Sequence, residues 1–236
     1  MITEKAFATS HLAFWRDLLP AASSCIRRIN VAAMRFDEEL PSRSAENRGV
    51  INETGFRIFA HAKTGQVAVA SLVAQVLEEC WTDAANFIQR FRAHSRPLDT
   101  ERAEGDLDEA KSIALRLEGF FAGEKTACVV WPKFPGCGWL DEAEGDVLVR
   151  DCLYEVKAGG GTFRAQDLRQ VFCYAALAQA AGEPVITSMC LINPRTGVAF
   201  RDTLEAVCIE AAGNGASETL NELVSYVSEP LWETGT

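Results

Sequence analysis

The sequence has no apolar run approaching the roughly 18 residues of a membrane-spanning helix, so a transmembrane protein is not expected. Its first twenty residues, MITEKAFATSHLAFWRDLLP, lack a basic stretch followed by an apolar one, so no secretory signal is read there and a cytoplasmic setting is expected. Eight cysteines are spread over positions 25 to 208 with no C-x-x-C pair, which argues against a compact zinc or iron–sulfur site and for free, buried thiols. Internal repeats and low-complexity tracts are absent. An excess of positive charge is also missing: the formal net charge is −10. A protein that grips nucleic acid unaided usually carries the opposite sign, because affinity comes largely from neutralising phosphates. Residues 1–104 hold 13 basic and 13 acidic side chains, whereas residues 105–236 hold 10 and 20, so the second part carries the whole excess.

What is present is the composition of a folded globular chain, 48% hydrophobic and 24% charged over 236 residues. Two regions are read. Residues 1–104 form a helical N-terminal region. Phe7, Leu12, Trp15, Leu18 and Leu19 suggest one amphipathic helix stopped by Pro20, and a second helix runs over 22–36. Residues 37–63 are ambiguous. Val69, Val73, Val76, Cys80, Ala84, Phe87 and Phe91 recur at helical spacing, which predicts one long helix over 66–94. Charged and proline-containing residues from 95 to 105 read as a linker. From 105 to 236 the pattern is α/β. Asp106 and Glu109 resemble a capping box at the start of a helix. Strand-like runs follow at 127–131, 145–149 and 152–156, then a Gly159-Gly160-Gly161 loop, a helix over 165–180, a buried strand over 185–192, a turn at 193–197, a strand at 198–201 and a helix at 216–228.

The chemistry concentrates in Gly145-Asp-Val-Leu-Val-Arg-Asp-Cys-Leu-Tyr-Glu-Val-Lys157. Folding it as an antiparallel hairpin with a two-residue loop at Arg150-Asp151 places Leu148 opposite Leu153, Val147 opposite Tyr154 and Asp146 opposite Glu155. Opposed side chains share a face about 5 Å apart. Lys157 joins that face by strand alternation, and Glu144 would then lie opposite Lys157. Two opposed carboxylates repel unless a cation compensates. Lys157 can do so in part, and a divalent ion does so better. Mg²⁺ takes one or two carboxylates plus waters and phosphate oxygens, and the backbone carbonyl of Val156 adds a ligand. With an ammonium beside the metal, the pattern suits metal-assisted phosphodiester hydrolysis.

Asp146 followed after eight residues by Glu155-Val156-Lys157 resembles the PD-(D/E)xK nuclease superfamily. Gln170-Val-Phe-Cys-Tyr174, on the following helix, is similar to the QxxxY motif of its RecB-like branch. The resemblance spans roughly residues 105–202. It implies a restriction-endonuclease-like αβββαβ core, with Asp146, Glu155 and Lys157 catalytic on the second and third core strands and Gln170 supporting them from the helix. It implies Mg²⁺ as cofactor, with Mn²⁺ substituting, held by Asp146, Glu155 and the Val156 carbonyl. Some members bring a further acid from the helix before the first strand. Glu118 is the candidate here, with a solvated helix face as its alternative.

Lys133, Arg164 and Arg169 are candidate phosphate contacts near the glycine loop or the first strand. Tyr174 is read either as a nucleic-acid contact or as a packed tyrosine with a bonded hydroxyl. Asp167 is expected to face solvent at the helix start. The glycine loop is expected to be flexible and to make room for substrate. The function expected is a metal-dependent nuclease, acting on DNA rather than RNA. The acidic surface suggests a protein partner or homo-oligomer, with the N-terminal region contacting the partner or the nucleic acid, as in a bacterial defence or repair assembly. The alternative is a non-catalytic interaction subunit on a nuclease-like fold.

Overall fold

A computed structural model describes residues 1–42, 44–91, 102–124, 126–182 and 185–230. Near the N-terminus, helix α1 (Glu4–Thr9) is capped by Thr3, whose hydroxyl accepts from the Ala6 N–H. The single helix expected through Leu19 is split in two. The Thr9 and Ser10 hydroxyls bond back to the carbonyls of Lys5 and Ala6, and His11 takes a left-handed conformation (φ 42°) before α2 (Leu12–Leu18) begins. Helix α3 (Ala22–Ala32) stops short of the expected Phe36, because Met34–Arg35 turn into a short edge strand, β1.

The ambiguous stretch contains α4 (Arg48–Thr64). Its pattern is hard to read because residues on most of its circumference are buried and two glycines lower its propensity. Gly55 has a packing reason: a Cβ there would lie 2.8 Å from Ile113 and 2.9 Å from the Ala110 carbonyl. The long helix expected from Gln66 begins only at α5 (Ala74–Phe91). Gln66 has positive φ and Val69–Ser71 form a 3₁₀ turn. The linker expected at 95–105 lies largely outside the described residues. Helix α6 (Asp106–Phe121) has Gly105 at its N-cap, so the expected capping box does not form. The Asp106 carboxylate instead accepts from Ala103 N–H and from Asn47, and Glu109 pairs with Arg195.

Strands β2 (Cys128–Val130), β3 (Lys133–Phe134), β4 (Ala143–Glu144), β5 (Val147–Val149) and β6 (Cys152–Val156) follow. Helix α7 (Ala165–Ala181), β7 (Ser188–Asn193), β8 (Val198–Thr203), α8 (Leu204–Ala212) and α9 (Ala216–Ser228) are the remaining elements among the described residues. The fold is mixed α/β. Six strands form one sheet in the order β1-β8-β7-β6-β5-β2, and β3-β4 make a separate ribbon. Only the β6–β7 pair, joined through α7, is parallel; the other pairs are antiparallel. The ribbon, β1 and α8 go beyond the expected elements. Helix α8 starts at Thr203, whose hydroxyl caps Ala206 N–H.

Side-chain alternation gives the sheet two covered faces. Leu148 and Leu153 join a core with α1, α2, α3, α7, α8 and α9, while Val147, Val149 and Tyr154 join a second core with α4, α5 and α6. All eight cysteines are free, six of them buried. Among the described residues, no helix is long and apolar enough to cross a membrane.

Candidate active site

The β5–β6 hairpin has the register read from sequence, Val147 opposite Tyr154 and Leu148 opposite Leu153, with Arg150 at φ 57° supplying the tight turn. Just before β5, the Asp146 carbonyl accepts from Trp131 N–H, and its Oδ2 accepts from Val156 N–H at 2.7 Å. The carboxylate is thereby clamped across the end of the hairpin. Glu155 is only 2% exposed on the next strand. Lys157 extends past the end of β6, where its N–H donates to the Ile192 carbonyl.

The Lys157 ammonium gathers the site. It lies 2.6 Å from Glu155 Oε1, 2.8 Å from Gln170 Oε1 and 3.6 Å from Asp167 Oδ1. Gln170 donates its amide N–H to the Tyr174 hydroxyl at 2.7 Å, and that hydroxyl donates to Glu4 on α1 at 3.3 Å. Helical i,i+4 spacing places Gln170 and Tyr174 on one face of α7.

Burial, then the neighbouring Glu155, pushes the Asp146 carboxyl up from 3.8 to about 8. Burial likewise raises Glu155, with Lys157 and Lys5 opposing it. Burial alone would lower Lys157, but Glu155, Asp167 and Asp146 outweigh it and hold the ammonium protonated. Glu155 Oε2 is buried without a hydrogen-bond partner. An unpaired acceptor of this kind is costly, and a metal ion or a bound proton would relieve it.

Asp146, Lys157 and Asp167 line a cleft of about 380 Å³, while Glu155 and Gln170 are buried and are not part of its lining. One wall is Gly49, Asn52, Glu53 and Phe56 of α4; the other is Asp146, Val156, Lys157, the glycine loop and the start of α7. The loop is anchored where flexibility was expected. Asn193 donates to the carbonyls of Gly159 (2.8 Å) and Gly161 (3.3 Å). Arg195, fully buried, donates to the Ala158 carbonyl and to Asn52, and pairs with Glu109 at 2.7 Å. One guanidinium thus ties α4, α6 and the loop after β6 together.

The structure brings together Asp146, Glu155, Lys157 and Gln170, with Arg164 on the cleft wall. It does not bring Glu118, whose carboxylate accepts from Val69 N–H at 2.9 Å and caps the 3₁₀ turn. The acids that line the cleft from helices are Glu53 on α4 and Asp167 on α7. Lys133 sits on β3 opposite Glu144, which removes Glu144 from its expected place opposite Lys157. Arg169 turns away from the cleft. Its guanidinium donates to the Ala8 carbonyl and lies 5.8 Å from the Trp15 ring centre. Tyr174 is 1% exposed and stacks on Phe134, so it packs rather than contacts a ligand.

Asp167 is buried, not solvated, and its carboxylate both accepts from Arg164 N–H and faces Lys157. Its position three residues after Arg164, at the start of a helix, was the available signal. Glu53, Asn193 and Arg195 carried none, since their roles arise from segments distant in sequence.

Among the described residues, no group of three or more His, Cys, Asp and Glu side chains is arranged as a metal cage. No model of a known protein family matches the chain, and a comparison with curated proteins finds no relative.

Proposed function

We propose that this chain is a metal-dependent nuclease of the PD-(D/E)xK kind, cleaving phosphodiester bonds of DNA with Mg²⁺, for which Mn²⁺ substitutes. The observation that carries the reading is the convergence of Asp146, Glu155 and Lys157 at one end of the hairpin, with Gln170 held on the lysine from α7. The order α6-β2-β5-β6-α7-β7 within one sheet supports it, since an αβββαβ core would place these groups on its second and third strands.

The donor set fits a hard cation. Mg²⁺ needs only one or two carboxylates when waters and phosphate oxygens fill its other positions. Asp146, Glu155 with its unpartnered oxygen, and the Val156 carbonyl would hold it. When bound, the ion would supply Lewis-acid polarisation of a phosphoryl oxygen and lower the pKa of water so that hydroxide is available as the nucleophile. Its carboxylate neighbours favour the protonated form of Lys157, which would serve as a charged donor to phosphate oxygens. Gln170 and Asp167 fix where that ammonium points. We place the activity within a protein assembly or homo-oligomer in defence or repair, because the chain's charge of −10 gives little grip on a polyanion.

A second reading, a non-catalytic interaction subunit, is favoured by one contact: the Lys157 ammonium already neutralises Glu155 without any ion. The two are separated by incubating the full chain with supercoiled plasmid and linear single- and double-stranded DNA in Mg²⁺, Mn²⁺ or EDTA. Metal-dependent cutting lost in Glu155→Ala and Lys157→Ala establishes the nuclease. Absence of cutting, together with absence of Mn²⁺ binding that depends on Asp146 and Glu155, supports the second reading.

A further inference from the structure

The glycine loop is shared by two cavities. Gly160, Gly161 and Thr162 line both the cleft above Asp146 and a second cavity of about 410 Å³ on the far side of the loop, which Asn30, Arg35 and Glu39 also line. The loop therefore forms the saddle between two depressions. Two guanidinium groups stand over it. Arg48 Nη1 lies 3.4 Å from where a Cβ on Gly160 would be, and Arg164 Nη2 lies 4.0 Å from the corresponding point on Gly161. Among the described residues neither forms an ion pair, and Arg48 Nε is buried with no hydrogen-bond partner. Arg35, which lines the second cavity together with Glu39, donates to the backbone carbonyls of Asp37 and Thr196 and forms no ion pair among the described residues. The Gly159 and Gly161 carbonyls, whose dipoles would repel an anion, are engaged by Asn193 instead.

Guanidinium groups left without carboxylates in so acidic a chain are anion sites by chemistry: planar, permanently charged, and suited to bidentate phosphate contacts. We propose that the two cavities form one track for a single nucleic-acid strand. The strand crosses the glycine saddle, with Arg48 and Arg164 holding consecutive backbone phosphates next to the carboxylate site and Arg35 holding the strand beyond it. A Cβ at 160 would make ordinary contact with Arg48, and a longer side chain there would enter the path. A single strand is the substrate class that three contacts serve. A duplex grips through a broad basic face with many phosphate contacts, whereas here three arginines from β1, α4 and the start of α7 flank one loop, between cavities that carboxylates also line. The placement of the scissile phosphate rests on the nuclease reading; the track itself does not.

The test is fluorescence anisotropy of a 5′-labelled 15-nucleotide single strand and its duplex with the full chain in EDTA, over a salt series. The expected result is single-strand binding tighter than duplex binding. Arg48→Ala and Arg164→Ala should each weaken it about tenfold and each lower the salt slope by about 0.7, whereas Arg16→Ala on the exposed surface changes neither. Arg48→Lys should retain most of the slope. Gly160→Asp should weaken binding by pairing with Arg48, and serves where an arginine variant does not fold. Undetectable binding, duplex preference, or unaltered affinity and slope in the loop variants overturns the track. Because EDTA removes catalysis from the readout, a chain that binds through Arg48 and Arg164 but never cuts keeps the track and loses the nuclease. A chain that cuts, with binding indifferent to these residues, does the reverse.

Discussion

Gln170 accepts from the Lys157 ammonium at 2.8 Å while donating to the Tyr174 hydroxyl, so its amide is held from both ends and points one way. Groups that orient an active residue without touching substrate typically matter 10- to 100-fold. Gln170→Ala is therefore expected to lower DNA cleavage by about 10- to 100-fold with thermal stability little changed. Tyr174→Phe should have a smaller effect in the same direction. Cleavage rates and melting curves on the same preparations check both.

The raised Asp146 carboxyl predicts a pH dependence of the metal-free protein. Its pKa moves from 3.8 to about 8 on folding, so between these values the folded state holds a proton that the unfolded state has released. Stability should accordingly fall as pH rises across that window and level off above it. Raised Glu155 acts in the same direction. Melting temperatures in EDTA from pH 5 to 9 should show this decline, and Asp146→Asn should flatten it.

Arg195 and Glu109 are each 2% exposed at the side chain and meet at 2.7 Å. Removing one member of a buried pair leaves an uncompensated charge and costs about 3–5 kcal/mol. Arg195→Ala is expected to lose about that much in urea unfolding. It should also loosen the 158–161 loop, read as faster amide exchange there.

Gly55 faces α6 with no room for a methyl group, since a Cβ would lie 2.8 Å from Ile113 and 2.9 Å from the Ala110 carbonyl. Gly55→Ala gains helix propensity but forces α4 and α6 apart. The net expectation is destabilisation of about 1–3 kcal/mol, typical of overpacking. Chemical denaturation measures it.

The cysteines supply an independent check of the packing. Burial pushes Cys25 up to about 11 and Cys208 up to about 12, and raises Cys173 well above the usual thiol range. A thiol reagent at pH 8 should react with the partly buried Cys128 and Cys137 in the native protein, and with all eight cysteines only after unfolding.

The residues of 145–157 by themselves determined the hairpin, its register and the shared face of Glu155 and Lys157. Strand alternation and a two-residue loop leave no other pairing that keeps Val147, Val149 and Tyr154 on one apolar face. Helix α7 is buried on most of its circumference too, but an uninterrupted alanine- and leucine-rich run after the glycine loop marked it, and β7 was legible as a continuous apolar run. Tertiary structure decided everything that depends on what lies opposite. Helix α4 is buried on most of its circumference, which erases the amphipathic signal and hides Gly55's packing role. Glu118 was drawn to the Val69 N–H and Arg169 to the Ala8 carbonyl, because partners distant in sequence offered them hydrogen bonds. Asp167 became part of the site because α7 starts beside Lys157. Asn193 and Arg195, read only as parts of a turn, hold the glycine loop because β7 ends against it. A local pattern specifies which face a side chain occupies, but only the packed chain specifies which groups meet there, and at this cleft burial and those meetings shift Asp146, Glu155 and Lys157 upward.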